Sequence, residues 1–327
     1  MSSEVMKQEL NSNQKSNGIS RRQFLRRSIA ASATAIAFPY VRTTPAFGAE
    51  GTEGIRIGVI GTGNQGKHHL RQPLVHKNVV ALCDVDDNML ASGKEIVEKN
   101  TKRTPALYKD YRKMLEKENL DAVLIATPDH WHALITVHAA MAGKHVYVEK
   151  PMGLTIHDTQ MMLKAARKYD IVLQNGSMQR SMPGFREACE AVRNERIGEC
   201  KVVRVGLPGV NYNVTDCPDS NPPPELDYDM WLGPSPWRPY NKNHVHYNFR
   251  FFWNSATGQM ANWGAHHIDI AHWGLGLDET GPIEISARAE YEPNRRFDVP
   301  QWFEVTYKYN KVLYDSELLL IHKNKSL

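Results

Sequence analysis

The chain has 327 residues, 41% of them hydrophobic and 23% charged, with a formal net charge of +4. That length allows two domains with cores of their own, and no run of 18 apolar residues offers a membrane-spanning helix. The positive charge lies in residues 1–48, where Lys7, Lys15, Arg21, Arg22, Arg26, Arg27 and Arg42 face only Glu4 and Glu9; the remainder is near neutral and gives no support for nucleic-acid binding.

Residues 1–48 read as an export leader. Ser20-Arg21-Arg22-Gln23-Phe24-Leu25 resembles the twin-arginine motif, an alanine-rich apolar stretch runs from Ile29 to Phe38, and Ala46-Phe47-Gly48 fits a small-residue cleavage site. The expected setting is the periplasm or another exported compartment, reached through the twin-arginine translocase, with no stable membrane anchor after cleavage.

From Ile55 the pattern becomes that of βαβ units. The run Ile55–Ile60 is short and apolar, as a buried parallel strand should be, and breaks into glycines. Strands follow at Val79–Cys83, Ala122–Ala126, His145–Val148 and Ile171–Gln174. Helices are expected from about Gln65 and at Asn88–Lys99, Asp110–Glu118, Trp131–Ala142 and Ile156–Lys168. Gly143 closes the fourth of these. Such alternation predicts a parallel sheet.

After about Asn175 the pattern changes. Phe185–Asn194 and Gly264–Trp273 read as helices, Lys201–Leu207, Ile283–Ala289 and Trp302–Tyr309 as strands, the last two with alternating faces. Between them Pro208–Trp253 is a long Pro- and aromatic-rich connection, whose aromatics argue for packing rather than disorder. The fold class expected is α/β: an N-terminal Rossmann parallel sheet over residues 54–176, then an α+β domain with a mainly antiparallel sheet over 177–327.

The chemistry-bearing residues gather at strand ends. Gly61-Thr62-Gly63-Asn64-Gln65-Gly66 is G-x-G-x-x-G directly after a strand and before a helix, the context in which that motif cradles a dinucleotide pyrophosphate. Asp84 ends the next strand, placed to accept both adenosine ribose hydroxyls. It disfavours a 2′-phosphate, so NAD is preferred, with NADP left open. Thr127, Pro128, Asp129 and His132 follow the third strand, at the edge where open sheets bind ligands. There Asp129 serves equally as a helix cap, while His130 and His132 diverge at a helix start and hold no shared metal. Glu149-Lys150-Pro151 ends the following strand. Lys150 would point at the nicotinamide end, where a dry pocket lowers its pKa and lets it exchange a proton with a substrate hydroxyl. Asn262, His266 and Asp269 fall on one helix face by spacing.

Two residue classes read blandly. Cys83, Cys189, Cys200 and Cys217 form no C-x-x-C pair. They are expected as buried thiols, with a disulfide among the last three open in an oxidising compartment. The fourteen histidines give no ligand set with recognised metal spacing, His244/His246 and His266/His267 included, so no metal is expected.

Together, Ile57–Gly66, Thr127–His132, Glu149-Lys150-Pro151 and Trp263–Asp269 resemble the glucose–fructose oxidoreductase, inositol dehydrogenase and rhizopine-catabolism (Gfo/Idh/MocA) family, over essentially all of residues 54–310. Gln179-Arg180, Arg196-Ile197-Gly198 and Met230-Trp231-Leu232-Gly233-Pro234 resemble an exported subgroup with twin-arginine leaders. The resemblance implies a Rossmann domain, NAD(P), and hydride transfer at a sugar or polyol carbon. Its catalytic group would be Lys150, His266 and Asn262. The cofactor would meet Gly61, Gly63, Asn64, Gln65, Gly66, Asp84, Thr127, Pro128, Asp129, His132, Glu149 and Lys150. The substrate would meet Lys150, Arg180, Trp263, His266 and His267. The second sheet often mediates homo-oligomers.

Two departures shape the expectation. Asn262 stands where the family usually has an aspartate; holding the imidazole of His266 without a charge should cost about one to two decades of rate. After Leu313 the family usually continues with further strands, whereas Ile321–Leu327 does not resemble that continuation, which implies a shortened sheet with an unpaired edge. A nicotinamide enzyme outside the cytoplasm would favour a tightly held, recycled cofactor. The alternatives are a redox-neutral glycosidase or lyase acting through a transient keto-sugar, and a nucleotide-binding protein with impaired catalysis.

Overall fold

The computed structural model describes residues 54–209, 217–291 and 297–309, and the backbone of 317–321. The leader expected at 1–48 lies outside the described residues. So does Ile321–Leu327, apart from the backbone of Ile321.

β1 (Ile57–Ile60) is buried at all four positions because helices cover both faces of its sheet. It pairs in parallel with β2 (Val79–Cys83) and β4 (Ala122–Ile125). With β3 (Ala106–Tyr108), β5 (His145–Val148) and β6 (Leu173–Asn175) the order is β3-β2-β1-β4-β5-β6, all parallel. The order reverses between β1 and β4, which opens a crevice beyond their carboxyl ends.

Helices α1 (Asn64–Leu70), α2 (Pro73–Asn78), α3 (Asp87–Thr101), α4 (Tyr111–Lys117), α5 (Asp129–Met141) and α6 (Ile156–Lys168) complete this part. One apolar cluster runs through Val59, Leu70, Leu82 and Val97, another through Ile125, Met114, Ile135 and Met162. Side chains fix several helix starts: Asp86 accepts from the N–H groups of Asn88 and Met89, Asp110 from that of Arg112, and Thr155 and Asp158 form a capping box. α5 differs. Its N-cap is Pro128, so Asp129 is the first helical residue rather than the cap.

The second part holds α7 (Pro183–Arg193), β7 (Val202–Gly206), α8 (Tyr228–Leu232), α9 (Gly258–Asn262), α10 (Gly264–Leu275), β8 (Glu284–Glu290), β9 (Trp302–Lys308) and β10 (Glu317–Ile321). Its sheet has the order β7-β10-β9-β8; β10 runs parallel to β7 and antiparallel to β9, and β9 antiparallel to β8. Residues 317–321 therefore supply an inner strand. β9 alternates as expected, burying Phe303 and Val305 with Leu275 and Leu277. β8 does not: all seven residues are exposed, because it is the edge strand and no described element covers either face.

The described part of the Pro- and aromatic-rich connection, from residue 217 on, packs as its composition foretold. Leu226, Tyr228, Trp231, Leu232, Val245 and Phe249 form a small core against Val85. A single antiparallel bridge joins Asp86 to Leu226. His130 Nε2 and Trp131 Nε1 both meet the Trp231 carbonyl at 3.0 Å, so the start of α5 and the end of α8 share one seam.

Candidate active site

The crevice at the carboxyl ends of β1, β4 and β5 is a cleft lined by Gly61, Gly63, Asn64, Gln65, Asp84, Thr127, Pro128, Asp129, Glu149, Lys150 and Asn262, with a further wall from the connection. The glycines take three distinct parts. Gly61 has φ +87, and a Cβ there would come within 2.7 Å of the Ala126 backbone. A Cβ on Gly66 would strike the Gly61 carbonyl, so Gly66 keeps α1 against the loop and stays out of the cleft lining. At Gly63 a Cβ would meet no protein atom and would stand in the cleft.

These residues fit a dinucleotide. The N-cap of α1 is Gly63, which has no side chain to cap with, leaving the first N–H groups of the helix for a phosphate. The Thr127 hydroxyl lines the cleft, buried, with no hydrogen-bond partner. Asp84 has a second task that spacing did not reveal. One carboxylate oxygen accepts from the Thr62 N–H (2.7 Å) and hydroxyl (3.1 Å), the other from the Asp86 N–H (3.0 Å), tying β2 to the glycine loop. Burial pushes its pKa up, and those bonds oppose the shift.

Glu149 borders the cleft, but its carboxylate is engaged by the helix α1. It accepts from His69 Nε2 (2.7 Å), Gln65 Nε2 (3.0 Å) and the Lys150 N–H (3.1 Å). Burial alone would raise its pKa, yet the bonds from His69, Gln65 and Lys150 outweigh it and hold the carboxyl below its usual range. Glu149 and Gln65 thus brace the glycine loop against β5. His132 is a correction: it is buried, absent from the cleft lining, and joins the carbonyls of Thr127 (2.9 Å) and Pro151 (2.8 Å), stapling β4 to β5.

Lys150 reaches across to the second part. Its Nζ donates to the Asn262 carbonyl (2.8 Å) and to Asn262 Oδ1 (2.9 Å). The helix expected to carry Asn262 and His266 together is broken at Trp263. The N–H of His266 turns to the Trp263 carbonyl, so the Asn262 carbonyl is released for the lysine. Asn262 therefore holds Lys150, not the imidazole, and its Nδ2 donates to Gln259 Oε1. Burial, then the nearby Arg250 charge, lowers the lysine pKa against Glu149 and Asp129.

His266 lies outside the cleft lining, near enough to feel Lys150. Burial first, and that charge second, press its pKa to about 4, and its Nδ1 has no partner. A neutral imidazole needs no anionic support, so the rate cost expected of Asn262 loses its basis. Arg180 is also corrected. Its fork is spent on Asp269 (2.7 and 2.8 Å) and Asp278 (2.6 Å), over the Trp273 ring. Trp263 packs edgewise against His266 and tilted on His267, and neither Trp263 nor His267 lines the cleft. Asp269 pairs with Arg180 rather than with His266.

Asp129 lines the cleft, buried. Burial drives its carboxyl up to about 7, against the pull of Arg250 and Lys150. Arg250, His246 and Tyr247, from the 3-10 turn His246–Phe251, and Met230 and Trp231, from α8, close the cleft wall. By sequence, His246 enters only as a metal pair with His244, and Met230 and Trp231 only as part of a subgroup motif; Tyr247 and Arg250 are not singled out, and their available signal is a basic residue set among aromatics within the connection.

Among the described residues no three His, Cys, Asp or Glu side chains gather as a metal site. His246 faces Asp86 at 3.5 Å. No disulfide joins the four cysteines; Cys83 and Cys189 are buried as expected, Cys200 and Cys217 only partly. Among the described residues no helix is long and apolar enough to cross a membrane.

Comparison with known proteins agrees with this geometry. A family model described as an oxidoreductase family with an NAD-binding Rossmann fold matches residues 55–177, and its companion C-terminal alpha/beta domain matches 210–323. Myo-inositol 2-dehydrogenase of Thermotoga maritima is 34% identical over 178 residues, 53% of this chain and 48% of that protein. A glycosyl hydrolase family 109 protein of Stenotrophomonas maltophilia is 32% identical over 233 residues, 66% of this chain and 48% of that protein. The chain thus spans about half the length of these curated relatives. Levoglucosan dehydrogenase, solved with NADH and levoglucosan, superposes with a TM-score of 0.61 at 19% identity, covering 83% of this chain and 67% of that one.

Proposed function

The chain belongs to the Gfo/Idh/MocA family of NAD-binding oxidoreductases, and on that premise we propose that it transfers hydride at a hydroxyl-bearing carbon of a carbohydrate or polyol. The observation that carries the reading is Lys150 at the end of β5, facing the cleft, its Nζ fixed by two oxygens of Asn262.

The cofactor would be held by the backbone of Gly61, Gly63 and Asn64, with Asp84 on the adenosine ribose and the Thr127 hydroxyl on the cleft wall. When bound, NAD supplies a nicotinamide that accepts hydride from a carbinol carbon. Oxidising that carbon requires its hydroxyl to lose a proton. Lys150 Nζ, with its pKa lowered by burial and by Arg250, takes this proton in its neutral form and returns it in the reverse direction. Asn262 keeps Nζ in place through the exchange. Glu149, braced by His69 and Gln65, keeps the lysine's strand registered against the glycine loop.

The test is nucleotide content and turnover together. Denatured wild-type protein, analysed by mass spectrometry after NAD loading, should release about one NAD per chain, and the holoprotein should oxidise a member of a sugar and polyol panel with a rise in NADH absorbance. Lys150→Ala should abolish turnover and keep the nucleotide. Loss of NAD from Lys150→Ala would contradict the proton-transfer role. Turnover of a glycoside with stoichiometric NAD and no net NADH would replace net oxidation with redox-neutral chemistry.

A further inference from the structure

The proton-transfer scheme uses the charge of Arg250 but none of its hydrogen-bond donors. Arg250 lines the cleft from the 3-10 turn that ends at Phe251. Its guanidinium lies 4.6 Å from the Tyr247 ring centre and 4.7 Å from that of Phe249, and Nη1 donates to the Tyr247 carbonyl at 2.8 Å. Two aromatic rings and one carbonyl fix the fork yet leave most of its five N–H donors unspent. Arg180, by contrast, spends its fork on two carboxylates at 2.6–2.8 Å.

The charges around Arg250 do not balance. It shares the cleft with a second cation, Lys150, whose pKa the guanidinium charge lowers. Glu149 is committed to His69 and Gln65. Asp129 is the other nearby carboxyl; burial favours its neutral form, and no hydrogen bond or ion pair joins it to the guanidinium among the described residues. The guanidinium is half-buried and has no bonded counter-ion among the described residues, and a planar two-oxygen anion is the partner its fork matches.

We propose that Arg250 receives a carboxylate carried by the substrate, so that the ligand of this cleft is a sugar acid, an aldonate or a uronate, rather than a neutral sugar or polyol. The assignment rests on the oxidoreductase reading above and narrows its substrate class. The anion belongs to the substrate side because the Arg250 charge acts on Lys150 and on Asp129, which follow β5 and β4, whereas the glycine loop that suits a pyrophosphate follows β1. The carboxylate would sit beside the carbon whose hydroxyl Lys150 serves, and would orient that carbon.

The experiment is a calorimetric titration of the full chain, with and without NAD, using D-glucuronate and D-gluconate against D-glucose and myo-inositol at one ionic strength. The acids should bind roughly tenfold or more tightly than the neutral compounds, the worth of a charged hydrogen-bonded pair. Arg250→Met should remove that margin and Arg250→Lys should keep part of it, with NAD affinity unchanged in both. Equal binding of acids and neutral sugars, or no acid binding at all, overturns the assignment. So does a fall in NAD affinity in Arg250→Met, which would give the guanidinium to a cofactor phosphate. A wild-type chain that takes up no NAD but still prefers the acids through Arg250 sinks the oxidoreductase reading and supports this one.

Discussion

Asn262 holds Lys150 with an uncharged oxygen and a backbone carbonyl, and so sets no anion against an amine whose pKa burial and Arg250 lower. A carboxylate at the same place would stabilise the ammonium. The neutral form that accepts a proton would then appear only at higher pH. Asn262→Asp should therefore raise the apparent pKa of the kcat/KM profile by about one unit or more, as an opposite charge at this distance does. The sign matters: with proton acceptance limiting, activity at pH 7 should fall in the variant and recover in alkali. A profile that does not move would show that the lysine is not the titrating group. The usual expectation for this position, an aspartate supporting a histidine, fails here because the helix breaks at Trp263 and His266 is held neutral, with its pKa near 4.

At the scale of elements, the strand–glycine loop–helix unit separates into positions that hold the fold and a position that faces the ligand. Gly66→Ala puts a methyl group against the Gly61 carbonyl, and overpacking of that kind costs about 1–3 kcal/mol. Gly63→Ala adds a methyl where the protein has no atom, at an ordinary φ of −66. Thermal melts should show Gly66→Ala destabilised and Gly63→Ala close to wild type. NAD titration of Gly63→Ala should show affinity lower by roughly tenfold, about one phosphate hydrogen bond. Normal NAD affinity in Gly63→Ala would remove that loop from the cofactor site. This unit was legible in sequence because β1, the glycines and α1 are contiguous, and each obeys a local rule. β3 escaped notice since three residues, Ala106–Tyr108, carry no period of their own. Arg180, Trp263 and His267 were misplaced for a related reason: spacing along a chain does not say which partner a side chain finds. Asp269 and Asp278 claim Arg180 from 89 and 98 residues away, and nothing local announces it.

At the scale of the whole molecule, the seam between the Rossmann sheet and the connection is built on two adjacent buried groups with opposite proton habits. Burial raises Asp129 from 3.8 to about 7 and lowers His130 from 6.5 to about 4, the latter despite its bond to the Trp231 carbonyl. For His130 the unfolded chain takes up a proton first. Its contribution is intact above about pH 6.5 and is lost as pH falls toward 4. For Asp129 the unfolded chain releases its proton first. Stability from that site is full below about pH 3.8 and is lost as pH rises toward 7. Each slope is bounded by one proton, about 1.4 kcal/mol per pH unit. Between pH 5 and 6.5 the two oppose each other, so the wild type should change little in denaturant midpoint there. Variants should expose the hidden slopes: Asp129→Asn should lose stability as pH falls from 6.5 to 5, and His130→Gln should gain it. Denaturant titrations of the NAD-free chain at several pH values would decide it. Profiles of both variants parallel to wild type would mean that neither group keeps its perturbed proton affinity, and that the seam admits water.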